Sequence, residues 1–577
     1  MILEDLPNEL FIEIFRCLST LDLLRSVYNL NFRFNQLLFA HFLTSTIDFR
    51  SIALRDFRLV CREYLPLLAN QIISLRLSND DRTPQQMEVF LEHGLTLHQL
   101  PNLQSLSLYA INLQEAMLPT ISQLRSLNRL TLADCSLSCN QNISQNFIDA
   151  IWSLPTLTYS YLNINFKENT VILPTVRSVS LKCLSIWSIT YDQIQFNTIC
   201  RHTPCLEQCS ILFNMDSPDP VDPFQHEFPS MTRFSLHSSH IEENHLNYVL
   251  QTMLNLRQLI VDIDSLDSHS SSPIFNGYQW ETILRRYLPH LQVFRLRMKF
   301  SFPDEDDLDG QVADLLRSFR GRFWLEERQW FVQCQWNEEG QACLYTLPYR
   351  FTDFQTSSSM QCLSTCPNNE LFSTFHYVDD LLMEYYVTQP EIVSSIRFNN
   401  VRDLSIHPSI SNQFLSRISQ LEQVTSLTVC ITDSTDTNTD LQTLLNRMPN
   451  LSSFGFNPWS LHPRRLSLLR LTHPKISLLD LRYAWQHLEA DDCAMLSQSP
   501  LGQQCEVLLV RIRKCDAVLD LINNMSNLRT LNIQFDDDHF EETNEDEFVP
   551  WLQNQLPSTF LISRDPVYAT DIHIWIG

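Results

Sequence analysis

One short apolar sequence motif recurs along most of this 577-residue chain. In each copy an apolar residue is followed by further apolar residues three and five positions later. Clear copies begin at Leu103, Leu127, Met231, Leu256, Leu291, Val424, Leu451 and Leu528. Successive copies are usually separated by roughly 23–31 residues, a period typical of chains that stack one structural unit on the next. A unit of this size cannot bury its own apolar residues, so the units must pack against their neighbours.

The best copy, residues 127–137, resembles a leucine-rich repeat, L-x-x-L-x-L-x-x-N/C-x-L, with Cys135 at the buried polar position. The resemblance implies a short strand that turns its L-x-L residues inward, followed by a helix or an irregular arm on the outside. We therefore predict an α/β fold. It consists of a three-helix N-terminal module followed by a leucine-rich-repeat solenoid of short parallel strands, which an insert without repeats interrupts.

The first forty residues predict a small and very apolar helical unit. Pro7 suits the first turn of a helix, where its missing N–H needs no partner, and Glu9 favours the positive end of the helix dipole. An apolar stripe with a spacing of four residues consists of Leu6, Leu10, Ile14 and Leu18. Phe11, Ile12 and Phe15 widen it beyond the arc that a small helix can bury by itself. A neighbouring domain or a partner protein must cover the excess apolar surface.

The stretch from Leu6 to Leu38 resembles an F-box. The L-P-x-E-L opening at 6–10, the Ile14-Phe15 pair and the L-D-L-L run at 21–24 fall at the family's usual offsets. Residues 30–34 replace the Val-Cys-Arg-x-Trp-like segment that family members usually carry. The resemblance implies docking on the Skp-type adaptor of a cullin ubiquitin ligase. The residues that it implies for adaptor binding are Leu6, Pro7, Leu10, Ile14, Phe15, Leu18, Leu21 and Leu23.

We divide the sequence into four parts. Residues 1–45 are the F-box-like helical module, and 46–300 are a first leucine-rich-repeat arc. The repeat fades over 301–398, which we interpret as an irregular insert of helix and β-hairpin, and returns over 399–577 as a second repeat arc.

The insert is predicted to contain a helix over 311–319, strands over 323–336 and 343–345, and a hairpin turn at 337–340. Its aromatic residues are dense and have two possible roles. They either form an exposed recognition patch or pack into a compact plug between the two repeat arcs. These residues are Phe323, Trp324, Trp330, Phe331 and Trp336.

Charge and composition exclude several classes of function. The formal net charge of -25 at pH 7 repels phosphate backbones, so we expect no nucleic-acid partner. Only 8 glycines occur, and the sequence contains no phosphate-binding glycine loop and no paired metal-ligand spacing. We therefore predict no enzyme activity, no cofactor and no metal. An enzyme whose site is not local in sequence, in the insert above all, is the alternative left open.

Cysteine usage and the N-terminus indicate the compartment. The 16 cysteines show no C-x-x-C spacing, which favours reduced thiols buried as small hydrophobes. The N-terminus lacks the basic start and apolar run of a secretory signal, and no uncharged apolar stretch reaches about 18 residues. We predict a protein of the cytosol or nucleus with no membrane partner.

Basic residues on the inner strands form the candidate site for a target protein. The candidates are Arg233, His237, Arg295 and Arg297. They fall two repeats apart, which at a strand spacing of about 4.8 Å brings them about 10 Å from one another. Guanidinium groups bind carboxylate and phosphate in bidentate fashion, so these residues could clamp an acidic or phosphorylated segment. The alternative is that they are ordinary solvated residues of the strands.

These features lead to one predicted function and one alternative. The chain is similar to F-box/leucine-rich-repeat proteins. The similarity implies a substrate-recognition adaptor, in which the module holds a Skp-type adaptor, and through it a cullin, while the solenoid holds an unknown protein substrate. Such a receptor raises the effective concentration of target lysines near a ubiquitin-conjugating enzyme. The alternative is a non-catalytic protein-interaction scaffold, whose F-box-like segment caps the solenoid and is not assembled into a ligase.

Overall fold

The chain forms two compact units, Met1–Leu212 with Asp546–Gly577 and Phe213–Glu545. A computed structural model describes the following residues: 6–113, 117–167, 170–213, 228–240, 242–266, 275–302, 307–357, 360–368, 372–384, 396–406, 415–431, 438–458, 470–482, 487–512, 516–535, 545–565 and 570–577.

The first unit begins with three helices and continues with strands that alternate with helices. The helices are α1 (Asn8–Arg16), α2 (Thr20–Ser26), α3 (Phe32–Phe42), α4 (Leu54–Leu59), α5 (Leu65–Leu68), α6 (Gln86–Glu92), α7 (Leu118–Ser122), α8 (Gln141–Trp152) and α9 (Gln193–His202). A π-helical turn, Val60–Tyr64, joins α4 to α5. The strands are β1 (Ile47–Asp48), β2 (Ser74–Ser78), β3 (Ser105–Tyr109), β4 (Arg129–Leu137), β5 (Tyr159–Phe166), β6 (Cys183–Tyr191) and β7 (Gln208–Phe213).

These strands lie side by side in chain order. The pairs from β1 to β6 are parallel, so each strand runs in the same direction as the one before it. Leu75, Leu106 and Leu130 lie level on three neighbouring strands and are completely buried. Because each repeat contributes one strand, the leucines of the repeated motif stack in a continuous buried row across the sheet.

The second unit contains two further runs of strands. The helices are α10 (Glu243–Leu250), α11 (Gly277–Tyr287), α12 (Leu308–Ser318), α13 (Asn438–Asn446), α14 (Ala490–Gln498), α15 (Pro500–Gln504) and α16 (Asp516–Asn524). The strands of the first run are β8 (Arg233–Ser238), β9 (Gln258–Asp264), β10 (Val293–Ser301), β11 (Val332–Trp336), β12 (Gln341–Thr346) and β14 (Gln361–Ser364). Those of the second run are β13 (Asp353–Ser357), β16 (Asp380–Glu384), β18 (Asp403–Ile406), β19 (Ser426–Ile431), β20 (Ser453–Pro458), β21 (Leu478–Asp480), β22 (Val507–Arg511) and β23 (Thr530–Gln534).

Strand direction distinguishes the two runs. In the first run β8, β9 and β10 are parallel, after which β12, β11 and β14 pair antiparallel in that order. In the second run all neighbours are parallel, from β13 through β16 and β18 to β23. A separate short parallel pair is formed by β15 (Thr374–Phe375) and β17 (Arg397–Phe398). The predicted α/β repeat fold is thus confirmed: short parallel strands carry the L-x-L residues, and helices connect many of them. The four-part division of the chain stays a prediction.

The antiparallel strands fall where the sequence predicts a hairpin. β11 and β12 are joined by a turn that ends at Gly340, whose φ of +78° is a conformation that glycine adopts without strain. The predicted strand over 323–336 is too long, because Phe323–Arg328 is a π-helical turn and the strand begins only at Val332. Phe323 and Trp324 are adjacent and both buried, which an alternating strand does not allow. Their burial, and that of Trp336, favours the plug over the recognition patch.

Residues from both ends of the described chain meet in the first unit. The helix α17 (Glu545–Gln555) precedes a hairpin of β24 (Leu561–Arg564) and β25 (Asp571–Trp575). Trp575 is completely buried and stacks on Phe57 of α4, with ring centroids 6.4 Å apart. Arg58 donates a hydrogen bond of 2.8 Å to the carbonyl oxygen of Thr559. The C-terminal hairpin and the residues before it therefore contact α4.

Candidate functional site

The first candidate surface lies on α1, which begins directly after Pro7. Pro7 is the N-cap, with a φ of -58°, and Glu9 adds a negative charge in the first turn. The helix buries Phe11 and Phe15. Phe11 packs edge-on against Phe34 of α3, with a centroid separation of 4.9 Å. These aromatic contacts form the core of the three-helix module.

Polar contacts fix the ends of the same helices. Ser19 accepts a hydrogen bond of 3.1 Å from the N–H of Asp22 at the start of α2. At the start of α3, Asn31 accepts one of 2.9 Å from the N–H of Phe34. Arg33 donates to the carbonyl oxygen of Leu6 at 2.6 Å. The two caps satisfy N–H groups at the starts of α2 and α3. The bond from Arg33 ties α3 to the residue that precedes Pro7.

Three apolar side chains of this module point to solvent at spacings of four residues. Leu10, Ile14 and Leu18 are 49%, 40% and 39% exposed. We call these three residues the N-terminal stripe. Leu10 and Ile14 lie one turn apart on α1, beside its buried aromatic residues, and Leu18 follows two residues after the helix ends at Arg16. Grouped exposed apolar residues of this kind are typical of an interaction surface.

The structure sorts the residues predicted for adaptor binding into two groups. Pro7 is exposed like the N-terminal stripe, while Leu6 and Leu21 are half-buried. Phe15 and Leu23 lie in the core of the module, so they support the surface instead of forming it.

The apolar excess is not where the sequence indicated it. Phe11 is buried and Ile12 is half-buried. The exposed large apolar residues in the described part of the module are those of the N-terminal stripe, together with Leu30, Leu43 and Phe32, which is 77% exposed. No sequence pattern indicated that Leu30 and Phe32 would be exposed, because their exposure depends on how α3 begins.

The second candidate surface is the solvent-facing side of β8, β9 and β10. Parallel register places His237, Asp262 and Arg297 in one row across the three strands. Ser235, Ile260 and Arg295 form the next row. The predicted grouping of residues two strands apart is therefore present for His237 and Arg297, with Asp262 between them.

The Arg297 side chain binds two carboxylates of its own unit, those of Asp262 and Asp353. Its side chain donates to both oxygens of Asp262 at 2.7 Å and to Asp353 Oδ2 at 2.7 Å. It also donates to the hydroxyl of Tyr349 at 3.1 Å, and its residue is only 7% exposed. Burial by itself would lower the pKa of Arg297, but the bonds to Asp262 and Asp353 outweigh it and raise that pKa. The guanidinium predicted to clamp a substrate is instead a buried structural cation.

Asp262 is held ionised by the same row. Burial would raise the pKa of Asp262, yet hydrogen bonds from His237 and Arg297 lower it to about 2. His237 Nδ1 lies 3.3 Å from Asp262 Oδ2, and its Nε2 lies 3.0 Å from the Ser235 hydroxyl. His237 is thus bound on both ring nitrogens, which makes it part of this network rather than a ligand-binding group.

Arg233 and Arg295 differ from these residues. Arg233 is exposed and Arg295 is half-buried. Arg350, on the connection between β12 and β13, acts electrostatically on Arg295 and stacks on Tyr377, with its guanidinium carbon 4.2 Å from the ring centroid. The sequence could not indicate Arg350, because the antiparallel β12 brings it to this sheet from outside the repeats.

Within the ranges that the structure describes, no group of three or more His, Cys, Asp or Glu side chains is placed to hold a metal ion. None of the helices in those ranges is long and apolar enough to cross a membrane. The thiols with described side chains are free, and Cys135 is completely buried, so that burial raises its pKa to about 12.

Comparison with known proteins adds little to this geometry. No protein-family model and no curated protein sequence matches the chain. The chain is similar to a chain in the crystal structure of the mouse RP105/MD-1 complex, with 12% identity, a TM-score of 0.22, and coverage of 77% of this chain and 61% of that one. It is also similar to a chain of the TLR13–ssRNA13 complex, with 12% identity, a TM-score of 0.21, and coverage of 81% and 57%.

Both of these structures are of leucine-rich-repeat proteins. The chain spans about three fifths of the length of each. At TM-scores of this size the likeness carries no argument about function, and the repeat fold rests on the strand order and register of the chain itself.

Proposed function

We propose that this chain is a substrate-recognition adaptor of a cullin-type ubiquitin ligase. It docks on a Skp-type adaptor through its N-terminal module and binds a target protein on its repeat sheet. The observation that carries the proposal is the exposure of the N-terminal stripe. Leu10 and Ile14 lie on one line of a helix whose other face is buried, and Leu18 follows just after the helix ends. Such an exposed apolar surface is stabilised when a partner covers it.

The size of the stripe fits a protein contact. Full burial of a leucine or isoleucine is worth about 1.5–3 kcal/mol, so covering the exposed part of each stripe residue contributes roughly 1 kcal/mol. Exposed Leu30 and Phe32 at the start of α3 add to the apolar surface of the module. The resemblance of residues 6–38 to an F-box supports a Skp-type adaptor as the partner.

The repeat sheet supplies a second, separate surface. A leucine-rich-repeat fold is a protein-interaction fold, and on β8 and β10 the partly or fully exposed Arg233 and Arg295 alternate with buried apolar residues. An adaptor of this kind works by proximity and needs no catalytic residue of its own. We place the protein in the cytosol or nucleus, where Skp-type adaptors and cullins act.

Co-purification with a purified Skp-type adaptor tests the proposal. The full chain is expected to retain the adaptor, whereas a Leu10→Asp/Ile14→Asp double variant is expected to lose binding by at least about 100-fold, because two carboxylates would be buried without partners. The variant should fold like the original chain, since both positions are exposed.

Two exposed apolar residues outside the module serve as matched controls. Val179→Asp and Ile194→Asp introduce the same charge at exposed positions of the first unit. Both variants should bind the adaptor as the original chain does. If the original chain does not bind, or if control and stripe variants lose binding equally, the chain is a repeat scaffold outside the ligase.

A further inference from the structure

Two arginines on the solvent face of the second unit converge from neighbouring rows. Arg233 opens β8, and register places Arg295 of β10 level with Ser235, one side-chain step farther along. With strands about 4.8 Å apart and about 3.3 Å per residue, the two Cα atoms are about 12 Å apart. Two arginine side chains can therefore reach one group held between them.

A third arginine is fixed beside them by Arg297. The side chain of Arg297 donates to the Tyr349 hydroxyl and to the carbonyl oxygen of Asp353, at 3.1 and 3.3 Å. These bonds hold both ends of the short segment that carries Arg350. Arg350 stacks on Tyr377, which occupies the flat face of the guanidinium and leaves its N–H edges for a ligand. We call Arg233, Arg295 and Arg350 the arginine cluster.

Within the residues that the structure describes, no ion pair neutralises the charges of the arginine cluster. Among the described residues, no carboxylate forms an ion pair with Arg233, Arg295 or Arg350. The carboxylates of Asp262 and Asp353 are taken by Arg297. Burial lowers the pKa of Arg295, and the charges of Arg350 and Arg233 lower it further, because both guanidinium groups repel that of Arg295. An anion placed among them would relieve that repulsion.

We infer that the arginine cluster binds an oxyanion group, a carboxylate or a phosphate, carried by a segment of the target protein. The inference deepens the proposed function and rests on it for the statement that the ligand belongs to a target protein. The formal net charge of -25 makes a general attraction of anions implausible, so binding here depends on the local geometry.

The same charge balance favours a protein segment over a nucleic acid. A nucleic acid presents many phosphates, and the acidic molecule as a whole repels them. A single phosphorylated or acidic side chain feels mainly the charges within about 10 Å, so arginines that contact it act more strongly than the net charge of the whole chain. Two parallel hydrogen bonds from one guanidinium to the carboxylate or phosphate would make the contact both directional and strong.

Binding of degenerate peptide pools to the full chain tests the inference. Three pools share random flanks and differ only at a fixed central position, which is phosphoserine, glutamate or glutamine. The phosphoserine pool, the glutamate pool or both should bind at least about tenfold more tightly than the glutamine pool. Which of the two binds better decides between phosphate and carboxylate.

Variants of the cluster show whether the binding is local. Arg295→Gln and Arg350→Gln should each weaken binding of the preferred pool by about tenfold or more. Arg233→Gln, at an exposed position, should weaken it with no change in thermal stability, which excludes misfolding as the cause. Arg129→Gln is the matched control, because Arg129 also stacks on a tyrosine, Tyr159, at 4.0 Å, but in the first unit.

Three outcomes would overturn the inference. The first is that all three pools bind equally well. The second is that the control and cluster variants weaken binding of the preferred pool equally. The third is that a single-stranded oligonucleotide binds through the cluster more tightly than the phosphoserine pool does. The adaptor experiment remains separate, since Leu10→Asp/Ile14→Asp should bind the pools normally. If the chain binds the adaptor but shows no preference among the peptide pools, only this inference is rejected. If the chain prefers the anionic pools but does not bind the adaptor, only the ligase proposal is rejected.

Discussion

At the scale of single residues, Arg297 shows how burial redirects a charged side chain. Like Arg295 two residues earlier, Arg297 lies between buried apolar residues of β10. Yet Arg297 is enclosed by Asp262, Asp353 and Tyr349, and its guanidinium lies 4.5 Å from the ring centroid of Phe351. A buried ion pair of this kind positions its neighbours, and breaking it leaves an uncompensated buried charge. We therefore assign Arg297 to positioning and Arg295 to binding.

Replacing the carboxylate that faces Arg297 should destabilise the chain in a pH-dependent way. The folded-state pKa of Asp262, about 2, lies below its ordinary 3.8. Ionised Asp262 therefore stabilises the fold above about pH 4, and this contribution is lost as the pH falls toward 2. We expect Asp262→Asn to lower the free energy of unfolding by about 2 kcal/mol or more at pH 7. The difference from the original chain, measured by urea denaturation, should shrink below pH 4.

Asp264 on the same strand is the control for that comparison. It pairs with Lys299 at 2.7 Å, but its side chain is well exposed, and exposed ion pairs contribute little. Asp264→Asn should change the free energy of unfolding by less than about 1 kcal/mol. An equal effect of the two substitutions, or a difference that does not depend on pH, would contradict the role given to Asp262.

At the scale of elements, α1 combines two functions on one short helix. Phe11 and Phe15 hold the module together, while Leu10 and Ile14 of the N-terminal stripe face solvent. The sequence predicts the helix and its apolar excess, because residues at spacings of four share a face. It does not predict which part of the excess is exposed, since that depends on where Phe34 of α3 packs.

The hairpin of β24 and β25 is an element whose role the sequence does not reveal. Trp575 is completely buried against Phe57, and truncation of a buried tryptophan typically costs about 3–5 kcal/mol. We expect Trp575→Ala to speed hydrogen exchange in α4 of the full chain while leaving exchange in α16 unchanged.

Tyr278→Ala, which removes an exposed aromatic side chain in the second unit, is the control for that measurement. It should leave exchange in α4 as it is in the original chain. Unchanged exchange in α4 of Trp575→Ala would show that the hairpin does not stabilise this helix.

At the scale of the whole molecule, the repeat is the part that the sequence predicts best. The L-x-L residues specify a strand and the regular spacing specifies its neighbour, so Leu106 and Leu130 can be placed side by side from sequence alone. The contact between Arg58 and Thr559 cannot, because 501 residues separate its partners and no local pattern connects them. Arg350 escapes prediction for the same reason, since only the pairing of β12 with β10 brings it near Arg295.

Hydrogen exchange of the full chain, with and without a purified Skp-type adaptor, tests the central claim most directly. We expect the adaptor to slow exchange over 6–24, which carries the N-terminal stripe, and to leave exchange over 233–298 of the repeat sheet unchanged. This result would show one surface engaged and the other still open to a target protein. Unchanged exchange over 6–24, or slowing confined to the repeat sheet, would contradict it.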